Sequence, residues 1–333
     1  MRDAELRHGD VVLVKSAAEI LSTLDAQGAL DGLPFMPEMV QFCGRRFEVD
    51  KRADKICDTI HYTGSRRLPA AVLLADLRCD GSRHDGCQAE CRPFWKEAWL
   101  RRVEGATVPA PAPDEQATAA LLQLTSGNTK RTVCSEGKTE VRYRCQATDL
   151  HAASQHLKLW DPRPYVRECQ NGNVAVGRFL RVMTRAAVQE PMRKLGLVPE
   201  VHLPGTRTAG KSPEPTLDLQ PGERVQVKSK EEIAATLDAK GRNRGLWFDR
   251  EMLPYCGSVF EVRRRVSRFV DDRSAKMIEL KSEAITLQGV VCSGDLSLRR
   301  WFCPRAIFPF WRESWLRRVD PQVKPDAPGP PAS

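Results

Sequence analysis

The sequence lacks any long hydrophobic run. Its longest purely apolar stretch, Ala70–Ala75, has six residues, whereas a transmembrane helix needs about 20. The first residues, MRDAELRHGD, carry charges where a secretory signal would require an apolar segment. These two absences predict a cytoplasmic protein without a membrane partner.

The common signatures of catalysis are also absent. The sequence contains no nucleophile elbow, no H-E-x-x-H zinc motif and no dinucleotide-binding fingerprint. The segment Gly205–Ser212 does match the phosphate-loop expression G-x4-G-K-S, but a working loop needs a strand before it and a helix after it. Because Pro204 precedes the segment and Pro213 and Pro215 follow it, we interpret the match as coincidental.

Cysteine, by contrast, is abundant. The chain has 11 cysteines in an otherwise ordinary composition of 41% hydrophobic and 29% charged residues. Without an export signal, metal binding or redox chemistry explains so many thiols better than disulfides do. The odd number also leaves at least one thiol unpaired in any all-disulfide scheme. We therefore expect metal ligands among the cysteines.

The chain contains an internal repeat. Residues 9–50 align with residues 222–263 without a gap, and 22 of the 42 aligned positions are identical. The similarity resumes between residues 87–103 and 303–319. We call residues 9–103 copy one and residues 222–319 copy two. Residues shared by both copies are interpreted as scaffold, and residues present in one copy only are candidates for a special task.

Each copy has the pattern of a small β-rich module. The sequences VVLVK and RVQVK predict a first strand, and a short helix with a capping box and a C-terminal glycine follows. The predicted capping pairs are Ser16/Glu19 and Ser229/Glu232, and the predicted stop residues are Gly28 and Gly241. Each copy ends on an aromatic block, whose tryptophans we expect in the core: Trp95, Trp99, Trp311 and Trp315.

The opening residues of the copies, GDVVLVK and GERVQVK, resemble the small SH3-like barrels of the KOW type, which implies a small, partly open β-barrel. The predicted fold class is α+β: two homologous small β-barrel-like modules, residues 9–103 and 222–319, joined by a helical middle segment, residues 119–198. An α+β roll fits the same pattern. The segments predicted as linkers or as a disordered tail are residues 104–118, 199–221 and 320–333.

The strongest local signal for chemistry lies in copy one. Cys79, His84, Cys87 and Cys91 fall within thirteen residues, and thiolates with an imidazole suit the tetrahedral coordination of zinc. Buried apolar thiols beside a surface histidine are the plain alternative, but the segment is too polar for ordinary core. Further candidate ligands are Cys43, Cys57, His61, Cys145 and His151.

Copy two supports this assignment, because it lacks two of the four predicted ligands. Cys91 is replaced by Ile307, and no histidine corresponds to His84. Either the shared cysteines are a packing feature to which copy one added ligands, or an ancestral site has decayed in copy two. An iron–sulfur cluster is the alternative cofactor, although the compact C-x2-C-x2-C run of ferredoxins is absent.

The net charge of +9 is concentrated in the middle segment and copy two, which permits a protein or polyanionic partner, although basic surfaces often serve only for solubility. The candidate anion-binding residues are Arg263, Arg264, Arg265 and Arg268, although a solvated edge is the simpler interpretation. We predict a metal-stapled tandem-module binding or adaptor protein with a basic face. An enzyme with a metal or iron–sulfur site at the junction of copy one and the middle segment is the first alternative, and a nucleic-acid-binding protein is the second.

Overall fold

The computed structural model describes residues 5–61, 63–103, 114–135, 138–158, 161–197, 203–207, 217–297 and 300–326. Two compact units divide the chain. Among the described residues, the first unit contains those up to Phe179, together with Phe269–Ile278 and Phe302–Arg305. The second contains Leu180–Arg268, Glu279–Trp301 and the residues from Ala306 onward.

The first unit is a mixed α+β structure. Its strands are β1 (Val11–Val14), β2 (Ala29–Leu30), β3 (Leu33–Pro34), β4 (Arg46–Arg52), β5 (Ile56–Cys57), β6 (Ser65–Arg67), β7 (Ala71–Leu74), β8 (Phe94–Lys96), β9 (Leu100–Arg102), β10 (Lys130–Ser135), β11 (Lys138–Tyr143) and β12 (Gln155–His156). Its helices are α1 (Ala17–Leu21), α2 (Glu115–Gly127), α3 (Gln146–Ala153), α4 (Arg163–Gln170) and the start of α5 (Val176–Lys194).

Antiparallel sheets organise this unit. The main sheet has the strand order β8-β7-β4-β1-β9, and a smaller sheet has the order β12-β6-β5. Phe35 packs edge-on against Trp95 and Trp99, with ring centroids 6.0 and 5.1 Å apart. Both tryptophans are completely buried, which confirms that the aromatic block belongs to the core. Their backbone is strand and 3₁₀ helix.

The middle segment is not helical throughout. β10 and β11 form a hairpin with six paired positions, from Lys130 opposite Tyr143 to Ser135 opposite Lys138. The β-branched residues of these two strands favour extended backbone, a local preference that the prediction of a helical segment overlooked. In addition, α2 begins at Glu115, inside the range predicted as a linker.

The second unit repeats part of this plan. Its strands are β13 (Arg224–Val227), β14 (Arg242–Asn243), β15 (Leu246–Trp247), β16 (Val259–Val270), β17 (Met277–Leu287) and β18 (Leu316–Arg318), and its short helix is α6 (Lys230–Ala234). The tips of β16 and β17 fall in the first unit. The main sheet has the order β17-β16-β13-β18. Its core also contains buried tryptophans, Trp311 and Trp315, packed edge-on against Phe248.

The two main sheets pair aligned residues in the same register. Val11 lies opposite Glu48 in the first unit, and the aligned Arg224 lies opposite Glu261 in the second. Both predicted capping boxes are present. The helices are shorter than predicted, however, because α1 ends at Leu21 and α6 at Ala234, several residues before the glycines expected to stop them.

The fold is therefore mixed α+β with several antiparallel sheets, one of which is a half-barrel. Across the part of the chain that the structure describes, no helix has both the length and the apolar character needed to cross a bilayer. Each unit has its own hydrophobic core.

Candidate metal centre

The cysteine-rich loop of copy one is closed at its base by backbone hydrogen bonding. The Cys79 N–H donates to the carbonyl of Cys91 at 2.8 Å. Within the loop, Gly81 has a positive φ of 71°, and a Cβ added there would lie 1.9 Å from the Cys87 carbonyl oxygen. Only glycine fits such a position, so the loop folds tightly over the residues that it encloses.

His84 lies inside this loop and is only 2% exposed. Its Nε2 lies 3.1 Å from the carbonyl oxygen of Arg144. A carbonyl can only accept a hydrogen bond, so Nε2 must carry the proton and donate it. Its Nδ1 lies 3.0 Å from Oε1 of Glu38. The hydrogen bond to Arg144 therefore fixes the ring orientation and directs Nδ1 toward the glutamate.

Glu38 sits in the 3₁₀ helix Pro37–Phe42 and is 9% exposed. Its Oε1 accepts from the Cys79 thiol at 3.8 Å and faces His84. Its Oε2 is buried and has no hydrogen-bond partner among the described residues. A buried polar atom without a partner carries a desolvation penalty of about 1–3 kcal/mol, and more if the group is charged.

These three residues form a compact group of potential metal ligands. One ligand atom from each of Glu38, Cys79 and His84 lies within 4.8 Å of the other two. In a tetrahedral zinc site with bonds of about 2.0–2.3 Å, neighbouring ligand atoms are roughly 3.3–3.8 Å apart. The oxygen–sulfur distance of 3.8 Å and the nitrogen–oxygen distance of 3.0 Å are close to that spacing.

The electrostatics of the group reflect the buried carboxylate. Burial raises the pKa of the Cys79 thiol, and the negative charge of Glu38 raises it further. Burial alone would lower the pKa of His84, but the hydrogen bond and charge of Glu38 outweigh it, and the net direction is upward. A bound cation would reverse both effects, since metal ligands must be deprotonated.

Two of the four predicted ligands, Cys79 and His84, are therefore together, with Glu38 as an additional member. Cys87 and Cys91 lie outside the group. The Cys87 Sγ accepts from the backbone N–H of Val270 at 3.3 Å, and burial raises the pKa of Cys91. Their role as ligands stays a prediction.

The further candidate cysteines are dispersed. Cys145 is the N-cap residue of α3, where burial raises its pKa to about 12. Cys43 follows the 3₁₀ helix that carries Glu38, and burial raises its pKa to about 11. Cys57 belongs to a different cluster: its N–H donates to Cys303 Sγ at 3.2 Å, and Arg305 Nη1 donates to its own Sγ at 3.9 Å.

The two remaining candidate histidines are neighbours. The rings of His61 and His151 meet edge-on, with centroids 4.7 Å apart. Burial lowers the pKa of His151, and the positive charge of Arg66 lowers it further. The sequence predicted both as possible ligands. The structure brings them together, but neither belongs to the Glu38 group, so their role stays a prediction too.

Sequence reasoning missed Glu38. The residue is identical in both copies, as Glu38 and Glu251, and shared positions were interpreted as scaffold. A signal was nevertheless available, because carboxylates are ordinary zinc ligands and Glu38 stands between apolar residues, Pro37 and Met39.

The candidate anion-binding arginines are largely engaged by the second unit itself. Arg265 contacts Glu283 at 2.7 Å and Glu313 at 3.0 Å. Arg268 lies 3.2 Å from Glu279. Arg263 stacks over the ring of Phe308, with its guanidinium carbon 4.8 Å from the centroid. Arg264 accepts from Thr286 through its backbone carbonyl, a bond that does not involve its charge. Ion pairing of this kind reduces the charge available to a polyanion, and anion binding by this run stays a prediction.

The phosphate-loop match lies partly outside the described residues, including Lys211. In the described part, 203–207 is neither strand nor helix. A Cβ on Gly205 would lie 2.1 Å from the carbonyl oxygens of Leu237 and Asp238. This glycine therefore allows close packing against the segment after α6.

Comparison with protein-family models, with curated proteins and with solved structures finds no match to this chain.

Proposed function

We propose that this chain is a two-module binding protein whose first module is stabilised by a bound zinc ion. In this proposal Glu38, Cys79 and His84 are the protein ligands of the zinc. Copies one and two are homologous β-barrel-like modules that bind partners rather than transform a substrate.

The unpaired Oε2 of Glu38 is the observation that supports the metal most strongly. Without a cation, a buried carboxylate has only one of its two oxygens in contact with donors. A divalent cation would neutralise the charge and remove the unpaired atom. His84 is suited to the same role, because metal-bound histidines commonly donate their second N–H to a carbonyl, as Nε2 does to Arg144.

The burial of the ligands favours a structural role over a catalytic one. With Glu38 at 9% and His84 at 2% exposure, a substrate would have little access to the ion. The ligands come from two separate segments, the 3₁₀ helix Pro37–Phe42 and the loop that begins at Cys79. One ion would therefore tie the loop to the body of the module, which is the typical contribution of a structural zinc.

The enzyme alternative has one observation in its favour, the number of ligands. Three protein ligands and one open position are typical of catalytic zinc. An iron–sulfur cluster is favoured less, because it needs four ligands that are mostly thiolates and the compact group supplies only Cys79.

A candidate surface for a partner lies on the second unit's part of α5 and just beyond it. Leu180, Val188 and Met192 recur at helical spacing and are 57%, 59% and 38% exposed, and Leu195 and Leu197 follow at 72% and 67%. We call this set of exposed apolar residues the apolar stripe. Clustered exposed apolar residues mark an interaction site more often than single ones do.

The charge of the same helix defines the partner. Arg181 and Arg185 lie among the exposed apolar positions of α5, so the apolar stripe carries positive charge. Charge complementarity then favours a protein with an apolar groove rimmed by acidic side chains, which would receive α5 in the manner of a helix in a groove.

The metal part of the proposal is tested by elemental analysis of the full chain, purified anaerobically under reducing conditions. We expect about one zinc per chain in the wild type, and loss of the zinc in Cys79→Ser and in His84→Gln, because a three-ligand site does not survive the loss of a ligand. Cys292→Ser, the aligned change in copy two, is the matched control and should keep the zinc. Equal zinc in Cys79→Ser and the wild type would refute the assignment.

A further inference from the structure

The residue aligned with Glu38 in copy two is also a buried glutamate, but its surroundings differ. Glu251 lies in the 3₁₀ helix Arg250–Tyr255 and is 4% exposed. The two glutamates therefore occupy the same place in the same kind of element, and each faces the loop that follows the aligned cysteine, Cys79 or Cys292.

Both oxygens of Glu251 have hydrogen-bond donors. Its Oε1 accepts from the Ser297 hydroxyl at 2.8 Å and from the Leu296 N–H at 2.7 Å. Its Oε2 accepts from the Ser293 hydroxyl at 2.8 Å. Copy two thus satisfies its buried carboxylate with protein donors alone, whereas Oε2 of Glu38 has no hydrogen-bond partner among the described residues.

Ser297 is the counterpart of His84. Counting forward from the aligned Cys79 and Cys292 places it at the same position, with the three additional residues of copy two falling between Ser297 and Cys303, and the backbone agrees. The Cys87 N–H donates to the His84 carbonyl at 3.0 Å, and the Arg300 N–H donates to the Ser297 carbonyl at 3.0 Å. The bases of the two loops also match, since the Cys292 N–H donates to the Ile307 carbonyl at 2.8 Å, as Cys79 does to Cys91.

We infer that the residue at position 84 or 297 decides how the buried glutamate is stabilised, and that copy two holds a latent zinc position in which only the histidine is missing. This inference rests on the proposed zinc site of copy one. A histidine supplies a lone pair to a metal, so Glu38, Cys79 and His84 form a site. A serine hydroxyl donates to the carboxylate instead and is a poor zinc ligand, so Glu251 is held by hydrogen bonds although Cys292 is retained.

The test is a set of full-chain variants, stripped of metal by a chelator under reducing conditions and titrated with Co²⁺, with bound zinc measured in parallel. We expect one ion in the wild type, two in Ser297→His and none in His84→Ser. The variant that combines His84→Ser with Ser297→His should bind one ion. Ser297→Gln is the matched control. Its side chain is similar in size to histidine and can donate to Glu251, but it is a poor metal ligand, so it should bind one ion.

The outcomes separate this inference from the proposed function. One ion in both the wild type and Ser297→His would overturn the latent position and leave the zinc site of copy one standing. No ion in the wild type would refute the proposed function, and the inference would fail with it. A second ion in Ser297→Gln would also overturn the inference, because histidine would then not be the deciding ligand.

A second readout covers the case in which Ser297→His does not fold. Because Ser297 anchors Glu251 in copy two, His84→Ser should lose the metal yet remain folded, with a higher unfolding temperature than metal-free His84→Ala. Equal stability of His84→Ser and His84→Ala would show that a serine cannot anchor Glu38, and this result would contradict the proposed equivalence.

Discussion

Glu38 and Glu251 show that two aligned buried carboxylates can have different neighbouring side chains. In copy two, Ser293 and Ser297 donate hydrogen bonds to Glu251. In copy one, His84 and the Cys79 thiol face Glu38 and leave one oxygen without a partner among the described residues. The difference between an ordinary hydrogen-bonded anchor and a candidate metal site thus lies in a few side chains of the loop.

A second buried carboxylate, Glu168 of α4, is relevant to the pH dependence of the first unit. It is 1% exposed and accepts from the Asn173 side chain at 2.9 Å. Burial raises its pKa to about 7, although the nearby charge of Lys55 opposes the shift. Lys55 is completely buried as well, and burial lowers its pKa.

In the wild type, Glu168 should make the free energy of unfolding fall as pH rises, and Glu168→Gln should abolish this fall. A carboxyl group whose pKa is higher in the folded than in the unfolded state contributes stability that is fully present below the unfolded value of about 4.3. This contribution is lost as pH rises through the folded pKa of about 7. The free energy of unfolding of the variant, relative to the wild type, should therefore increase by roughly 2–3 kcal/mol between pH 4.5 and pH 8.

Denaturant unfolding at several pH values measures this difference. Taking the variant relative to the wild type cancels the contributions of the other titrating groups. A difference that stays constant from pH 4.5 to pH 8 would show that Glu168 does not titrate in this range.

Among the elements, the N-terminal caps of the two short helices were predicted correctly. The capping boxes Ser16/Glu19 and Ser229/Glu232 involve residues three apart, so the pattern alone determines the hydrogen bonds. The hairpin of β10 and β11 was missed, because the middle segment was interpreted from its helical periodicity downstream. The grouping of Glu38 with His84 could not be predicted from spacing, since it depends on a contact between residues 46 positions apart.

The α5 helix provides a test of the binding half of the proposal. A photo-cross-linking amino acid at Val188 should capture a protein partner in the native host, because this position is 59% exposed within the apolar stripe. Capture should be lost when Leu180→Asp is added, since a charge would interrupt the stripe. The captured protein should have an acidic rim around an apolar groove, identified by mass spectrometry of the cross-linked peptides.

The same amino acid at Val323, which is 41% exposed in the same unit, serves as the control. Equal capture at both positions, or capture at Val188 that persists with Leu180→Asp, would show that the α5 stripe is not a specific docking surface.

In the whole molecule, the sequence repeat and the compact units do not coincide. The repeat predicts modules at residues 9–103 and 222–319, whereas the first unit also includes α2, α3 and α4 and two short segments of copy two, Phe269–Ile278 and Phe302–Arg305. Identity between aligned residues identifies which parts of a chain share a local structure. It contains no information about which distant segments join one core, so the composition of the units could not be predicted from the alignment.

The proposed zinc ion of copy one and its ligands can be measured together. X-ray absorption at the zinc edge of the anaerobically purified chain measures this directly, because sulfur and lighter ligands bind at different distances. We predict one sulfur at about 2.3 Å and the remaining ligands, nitrogen or oxygen, at about 2.0–2.1 Å, as expected for Cys79 with His84 and Glu38. Three or more sulfur ligands, as in the set Cys79, His84, Cys87 and Cys91, or the absence of zinc, would refute the zinc site of Glu38, Cys79 and His84.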